Sequence, residues 1–169
     1  MEPGEPGRGA VTKVPTILDH DTLTLRPATR EDVPVIRALT RAAYAQWVPV
    51  IGREPVPMTV DYALAVRAHR FDLLEQAGAL VAVIEMILQP DHLWIENLAV
   101  SPAHHGQGLG RRMLREAERV ARSLGHSDIK LLTNREFTGN VEFYERAGFV
   151  VEREEPFKGC LTAYLRKAL

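Results

Sequence analysis

Gly106, Gly108 and Gly110 alternate with His105, Gln107 and Leu109, just after an apolar run and just before an amphipathic one. Glycines at this spacing let the backbone turn tightly and come close to a ligand. The N–H groups that open a helix have no partner inside it and carry partial positive charge. Such a loop offers phosphate a cradle of backbone donors. Arg111 and Arg112 fall in the first helical turn, where their charge opposes the helix dipole by roughly 0.3–1 kcal/mol each at an exposed site. A bound polyphosphate reverses that penalty. The plain alternative is a glycine-rich connector with solvated arginines. Two common phosphate loops do not fit. A Walker loop needs Gly-Lys followed by Ser or Thr, and this chain has Gly110-Arg111-Arg112. A dinucleotide fingerprint needs its third glycine one residue later, where Arg111 stands.

Glu96 is the second group with chemical potential. It sits in Leu93–Val100, a run otherwise rich in Leu, Ile, Val and Trp. Strand alternation puts Trp94, Glu96 and Leu98 on one face. A carboxylate there is costly to bury unless paired or hydrated, and burial raises its pKa; either condition suits a group that takes a proton from an ammonium through water. A Glu at a cleft mouth or in a salt bridge is the competing reading. His104 and His105 are loop neighbours that point in different directions, with no Asp, Glu or Cys at ligand spacing, so no metal site is expected. Cys160 reads as a small apolar filler. Arg115, Arg119 and Arg122, interleaved with Glu116 and Glu118, read as a solvated helix face with i,i+4 pairs.

The elements that must position these groups follow from periodicity. Thr22–Arg26 alternates as a half-buried strand. Thr29 caps a helix that carries Val33, Ile36, Leu39 and Ala43 at helical spacing and ends at about Tyr44 or Trp47. Pro49, Gly52, Pro55 and Pro57 make a loop, and a second helix covers Val60 to Ala68. Strands over 71–74, 79–88 and 93–100, separated by tight turns, predict an antiparallel meander. A helix from Gly108 to about Leu124 follows, with Leu109, Met113, Ala117, Val120, Ala121 and Leu124 on one face and Gly125 as its stop. A strand over 129–132, a short helix over 140–146, and strands over 150–153 and 160–165 complete the chain. The order implies a mixed α/β fold, antiparallel early, with a strand–helix–strand crossover later.

Size and composition set the outer limits. The 169 residues, 46% hydrophobic and 25% charged, suit one soluble domain over 21–169 behind a flexible Pro/Gly-rich tail over 1–20. A net charge of −1 gives no basic excess for nucleic acid. No run is apolar enough for a membrane span, and no apolar signal core opens the chain. A single cysteine fits a reducing compartment, so a cytoplasmic location is expected.

Asn97-Leu98-Ala99-Val100-Ser101-Pro102, followed by His105-Gly106-Gln107-Gly108-Leu109-Gly110-Arg111, resembles the acetyl-CoA-binding motif of the GCN5-related N-acetyltransferase (GNAT) family. His105 stands where that family usually has Arg or Gln. A second family-like segment is Asn140-Val141-Glu142-Phe143-Tyr144-Glu145-Arg146-Ala147-Gly148-Phe149. The resemblance covers about Leu23 to Leu169. It implies a central mixed sheet of about seven strands flanked by about four helices, with acetyl-CoA as co-substrate.

By that resemblance, the strand ending at Val100 splays from its neighbour. Leu98, Ala99 and Val100 pair their backbone with the pantetheine arm, and the Val100 N–H polarises the thioester carbonyl. His105, Gly106, Gln107, Gly108, Leu109, Gly110 and Arg111 take the pyrophosphate. Asn140 hydrogen-bonds the cofactor arm, and Phe143 lines the far wall. Tyr144 is the expected acid toward the departing thiolate, and Glu96 or water the expected base. Trp47, Met58 and Tyr62 would form an apolar wall for the acceptor, with Glu54 as a charge for its amine.

The expected activity is acetyl transfer to a primary amine by direct attack in a ternary complex. The alternative is a non-catalytic acyl-CoA-binding sensor or interaction module of the same fold. Expected partners are acetyl-CoA and an amine acceptor, with room for a homodimer and none expected for nucleic acid or membrane.

Overall fold

The structure is a computed structural model and describes residues 22–169. The expected tail lies outside them. One seven-stranded sheet runs in the order β1-β2-β3-β4-β5-β7-β6. Its strands are β1 (Leu23–Pro27), β2 (Arg70–Gln76), β3 (Ala79–Leu88), β4 (Leu93–Val100), β5 (Asp128–Asn134), β6 (Val150–Phe157) and β7 (Cys160–Ala168). The first four strands pair antiparallel in sequence order, and β4 pairs with β5 in parallel. The expected meander and crossover are both present. Several strands run longer than periodicity suggested because polar residues at their ends still pair in the ladder.

The helices are α1 (Val33–Tyr44), a single turn α2 (Val48–Ile51), α3 (Tyr62–Ala68), α4 (Leu109–Ser123) and α5 (Asn140–Arg146). The turn α2 falls where a loop was expected. Pro49 is tolerated in its first turn, where no N–H bond is lost, and Gly52 ends it with φ 71°. Asp61 caps α3 by accepting from the N–H groups of Ala63 and Leu64. Among the described residues, no helix is long and apolar enough to cross a membrane.

Each face of the sheet carries its own core. On one face, α4 presents Leu109, Met113, Ala117, Val120 and Ala121, each at most 4% exposed, against Ala82, Ile84, Met86, Leu93, Ile129 and Leu131. Leu124, expected on that face, is the C-cap and stays exposed, because the helix has already ended. On the other face, Ile36, Leu39 and Ala43 of α1 and Tyr62 and Ala65 of α3 pack on Phe71, Leu73, Val83 and Ala99. Arg115, Arg119 and Arg122 are exposed as expected, and Arg122 pairs with Glu118 at i,i+4; Arg119 pairs instead at i,i+3 with Glu116, which is buried against the sheet side of the helix.

The start of α1 is tied to the sheet edge by charge. Arg26 grips Asp32 with both guanidinium nitrogens at 2.7 and 2.8 Å and reaches Glu75 at 2.7 Å. Asp32 also accepts the Thr29 N–H at 2.7 Å. The Arg26 guanidinium, aided by that N–H, holds the Asp32 carboxyl down at about 2. A depressed carboxyl contributes stability above its unfolded pKa and loses it as pH falls through the folded value. Arg26→Met is therefore expected to cost about 1 kcal/mol at neutral pH, since Arg26 is a third exposed. That difference should shrink below about pH 4 and vanish only below about pH 2. Thermal melts of both proteins across this range check it.

Candidate active site

The sheet opens where the crossover leaves it. Strands β4 and β5 pair only from Leu93–Ile129 to Ile95–Leu131, yet β4 continues to Val100 and β5 to Asn134. Beyond Ile95 the two strands part, and two cavities occupy the opening from opposite ends.

Hydrogen-bond alternation decides which backbone groups of β4 face this gap. Val100 lies opposite Ala82 on β3, and the Ser101 N–H donates to the Val81 carbonyl at 2.8 Å. The Ala82–Val100 pair is therefore one whose own N–H and C=O groups point away from each other. The same parity applies to Leu98 opposite Ile84. Leu98 and Val100 thus turn their amides toward the gap, whereas the N–H and C=O of Ala99 are engaged by Val83. This corrects the expectation that all three residues offer backbone groups to a ligand. Ala99 lines the cavity without offering a backbone group to it.

The larger cavity, about 510 Å³, runs from this edge to the glycine loop. Gly106 and Gly108 have φ of 76° and 75°, and a Cβ at either would meet nothing within 4 Å. Their backbone is bent into a conformation that favours glycine and faces open space. No hydrogen bond to another described residue engages the N–H groups from Gly106 through Arg111. Gly110 serves a different need: its Cβ would lie 3.1 Å from Cζ of Phe143, so glycine lets α5 pack close to α4.

His105, Leu109, Arg111, Asn140, Phe143 and Tyr144 line the same cavity. Of the loop, Gln107 points elsewhere: it is exposed and does not line the cavity, since the turn directs its side chain outward. His105 Nε2 lies 3.2 Å from the Val100 carbonyl oxygen, and Arg111 donates to the Arg146 carbonyl at 3.1 Å. These contacts brace the loop against β4 and α5. Among the described residues there is no cluster of His, Cys, Asp and Glu able to hold a metal. Cys160 is partly buried.

The smaller cavity, about 110 Å³, opens on the other side of the gap. Tyr44, Leu98, Asn140 and Tyr144 line both cavities and so mark where they meet. Tyr144 is buried, with its ring centroid 5.1 Å from that of Phe143 and 5.6 Å from that of Phe149. Burial pushes its phenol well above the ordinary tyrosine range, so the proton stays on oxygen. Tyr44 shifts the same way, chiefly through loss of water. Its hydroxyl donates to Asn97 Oδ1 at 2.9 Å, and Asn97 Nδ2 reaches the Tyr62 hydroxyl at 3.4 Å. Asn97 is 4% exposed, so this bonding is what makes its burial tolerable.

Glu96 departs from its expected strand face. The register steps from Glu85–Asn97 to Met86–Ile95, leaving Glu96 as the extra residue of a β-bulge. Ile95 and Leu98 consequently pack on the same core, and the simple alternation fails. Glu96 shares a side with Trp94, whose Nε1 donates to it at 2.7 Å, but not with Leu98. Its carboxylate is exposed, not buried, and lines the smaller cavity. The bulge thus aims a hydrated carboxylate at the gap.

The acceptor wall needs more revision. Trp47 lines the larger cavity and stacks on Phe137 at 5.0 Å. Met58 and Tyr62 are buried and line neither cavity. Tyr62 is core, its hydroxyl donating to the Pro57 carbonyl at 2.7 Å and its pKa pushed up to about 12 by burial. Glu54 lies outside both cavities, held by Arg41 at 2.7 Å. The smaller cavity is walled instead by Ile51, Arg53, Pro55, Val56 and Pro57 together with Phe137, Phe157 and Thr162. Sequence reasoning missed Tyr44, Asn97 and Arg53. The available signal for Arg53 was a lone cation after a glycine in an otherwise apolar, proline-broken segment.

A model of the acetyltransferase (GNAT) family matches residues 36–149. The chain belongs to the GNAT acetyltransferase family. That span includes β4, the glycine loop and α5, so family membership rests on the elements that build the site. N-acetyltransferase 8 of Mus musculus is 32% identical over 92 residues, a match that takes in 51% of this chain and 40% of that protein. The chain thus matches less than half the length of this relative.

Among solved GNAT-like folds, the PaiA N-acetyltransferase of Thermoplasma acidophilum, in complex with coenzyme A, aligns with a TM-score of 0.72. It is 16% identical, over 88% of this chain and 99% of that one. The ribosomal-protein-S18-alanine N-acetyltransferase of Escherichia coli also aligns at 0.72. It is 19% identical, over 87% of this chain and 94% of that one. A GNAT family acetyltransferase of Elizabethkingia anophelis, with acetyl-CoA bound, aligns at 0.67 with 16% identity, over 89% and 99%. At these identities the likeness is one of fold.

Proposed function

We propose that this GNAT member transfers the acetyl group of acetyl-CoA to a primary amine by direct attack, with both substrates held at once. The observation that carries the reading is the parted β4–β5 edge. It turns the amides of Leu98 and Val100 toward a cavity that ends at the glycine loop. The N–H groups from Gly106 through Arg111 suit the diphosphate, and the Val100 N–H suits the thioester oxygen as charge develops on it. The cosubstrate enters from the larger cavity and the amine from the smaller.

The amine nitrogen bonds to the thioester carbon and the carbon–sulfur bond breaks. Glu96, directly or through water, takes the proton that the ammonium must lose. Tyr144 gives its proton to the departing sulfur, and the second proton that nitrogen sheds as the amide forms restores the phenol through solvent. Burial raises a phenol and a thiolate in the same sense, since both anions lose water, so Tyr144 need not be acidic in absolute terms. Cys160 lines neither cavity, which favours direct transfer over a covalent acyl-enzyme.

The test is calorimetric titration of acetyl-CoA, followed by a thiol-release assay across a panel of primary amines. Saturable binding together with amine-dependent release is the expected result. Binding with no release from any amine would favour a sensor of the same fold.

A further inference from the structure

We propose that Arg53 anchors a carboxylate, which makes the acceptor a small free amino acid. This rests on the acetyl-transfer reading above and names its substrate class. The smaller cavity is walled by apolar residues such as Ile51, Phe137 and Phe157 together with neutral polar ones such as Asn97, Asn134 and Thr162. Two charged side chains line it, Arg53 and Glu96.

Arg53 has no ion-pair partner among the described residues. Its Nε is buried and makes no hydrogen bond, and its Nη1 reaches only the Glu54 carbonyl, at 3.4 Å. The neighbouring carboxylate of Glu54 is turned away to Arg41. The guanidinium carbon lies 5.7 Å from the Phe157 ring centroid, so the cation is held at the wall by an aromatic face and not by an anion. A buried, unpaired guanidinium nitrogen is costly in the free protein. The Nη groups, which no carboxylate among the described residues engages, leave an incoming carboxylate the charge and planar donor geometry that arginine offers.

Arg53 is not placed for the phosphates of the cosubstrate. It lines only the smaller cavity, on the far side of Tyr44 and Tyr144 from the glycine loop. Glu96 supplies the opposite charge in the same cavity and suits the amine. One cation and one anion in a small pocket whose other polar side chains are neutral, such as Asn97, Asn134 and Thr162, match a molecule that is both ammonium and carboxylate. The volume, about 110 Å³, argues for a compact one. Benzene, for comparison, occupies an engineered cavity of about 150 Å³.

The experiment compares free amino acids with their carboxamides, alanine against alaninamide and so on, by steady-state thiol release. Dipeptides form a third arm. Wild type is expected to favour amino acids over carboxamides by about 10²-fold or more in kcat/KM, as sites built for a polar group reject analogues lacking it. Arg53→Ala should raise KM for amino acids about 10- to 100-fold and collapse that preference, while Arg53→Lys restores part of it. Thermal melts confirm that each variant folds.

Equal or better use of carboxamides, an equal loss on both series in Arg53→Ala, or preference for dipeptides overturns the proposal and leaves acetyl transfer standing. Release from none of the three sets while another primary amine supports turnover overturns this proposal alone; no release from any primary amine, with acetyl-CoA still bound, overturns both readings.

Discussion

Tyr144→Phe is expected to lower kcat by about 10²–10³-fold, within the span that a positioned general acid supplies. The affinity for acetyl-CoA should change less than about twofold. The ring is held between Phe143 and Phe149, so removing the hydroxyl leaves its packing in place. No described residue hydrogen-bonds that hydroxyl, so no buried partner is orphaned and the fold should tolerate the change. The loss should therefore fall on the chemical step and not on binding.

The pH profile adds a second reading. Burial keeps the Tyr144 proton on oxygen well above the ordinary range. Loss of that proton is therefore not the expected cause of any alkaline fall in rate between pH 8 and 10. Steady-state kinetics, calorimetry with acetyl-CoA and thermal melts decide the matter. A kcat within threefold of wild type would assign the thiolate's proton to solvent.

What was legible in the sequence has a physical pattern. Gly106, Gly108 and Gly110 were readable because each answers a local backbone need: two take a positive φ and one permits a close helix–helix approach. The face of α4 was readable because a 3.6-residue period survives any tertiary context, down to Met113 and Ala117 at 0% exposure. Glu96 was only half readable. Its residue type was informative, but the bulge that re-aims it depends on the register between β3 and β4, and no glycine or proline marks it. The acceptor wall was least readable. Met58 and Tyr62 look like pocket residues by type, yet they fill the core under α1. Glu54 and Arg53 are adjacent, and only three-dimensional pairing shows that Arg41 claims the first and leaves the second facing the cavity. Buried polar residues such as Asn97 share this opacity, because their partners, Tyr44 and Tyr62, lie 53 and 35 residues away.

Val100→Pro should lower kcat/KM for acetyl-CoA by about 10²–10³-fold, the effect of deleting one donor from an oxyanion site. Proline removes the N–H, and at Val100 that N–H faces the gap, because the Ala82–Val100 pair exchanges no bonds of its own. The ladder to β3 therefore loses nothing. The bond from the Ser101 N–H to the Val81 carbonyl is untouched, as is the Val100 carbonyl that His105 approaches at 3.2 Å. Ala99→Pro is the internal contrast. There the lost N–H belongs to the ladder with Val83, and a central strand does not tolerate that loss, so this variant should melt far lower or fail to fold. If Val100→Pro melts near wild type while turnover collapses, the amide acts on charge that develops during the reaction. The carbonyl oxygen gains its charge only on the way to the tetrahedral state, so most of the loss should appear in kcat and little in acetyl-CoA binding. An equal loss in affinity and turnover would instead make this amide a simple anchor for the pantetheine arm, and the polarising role would then pass to another donor along the parted edge.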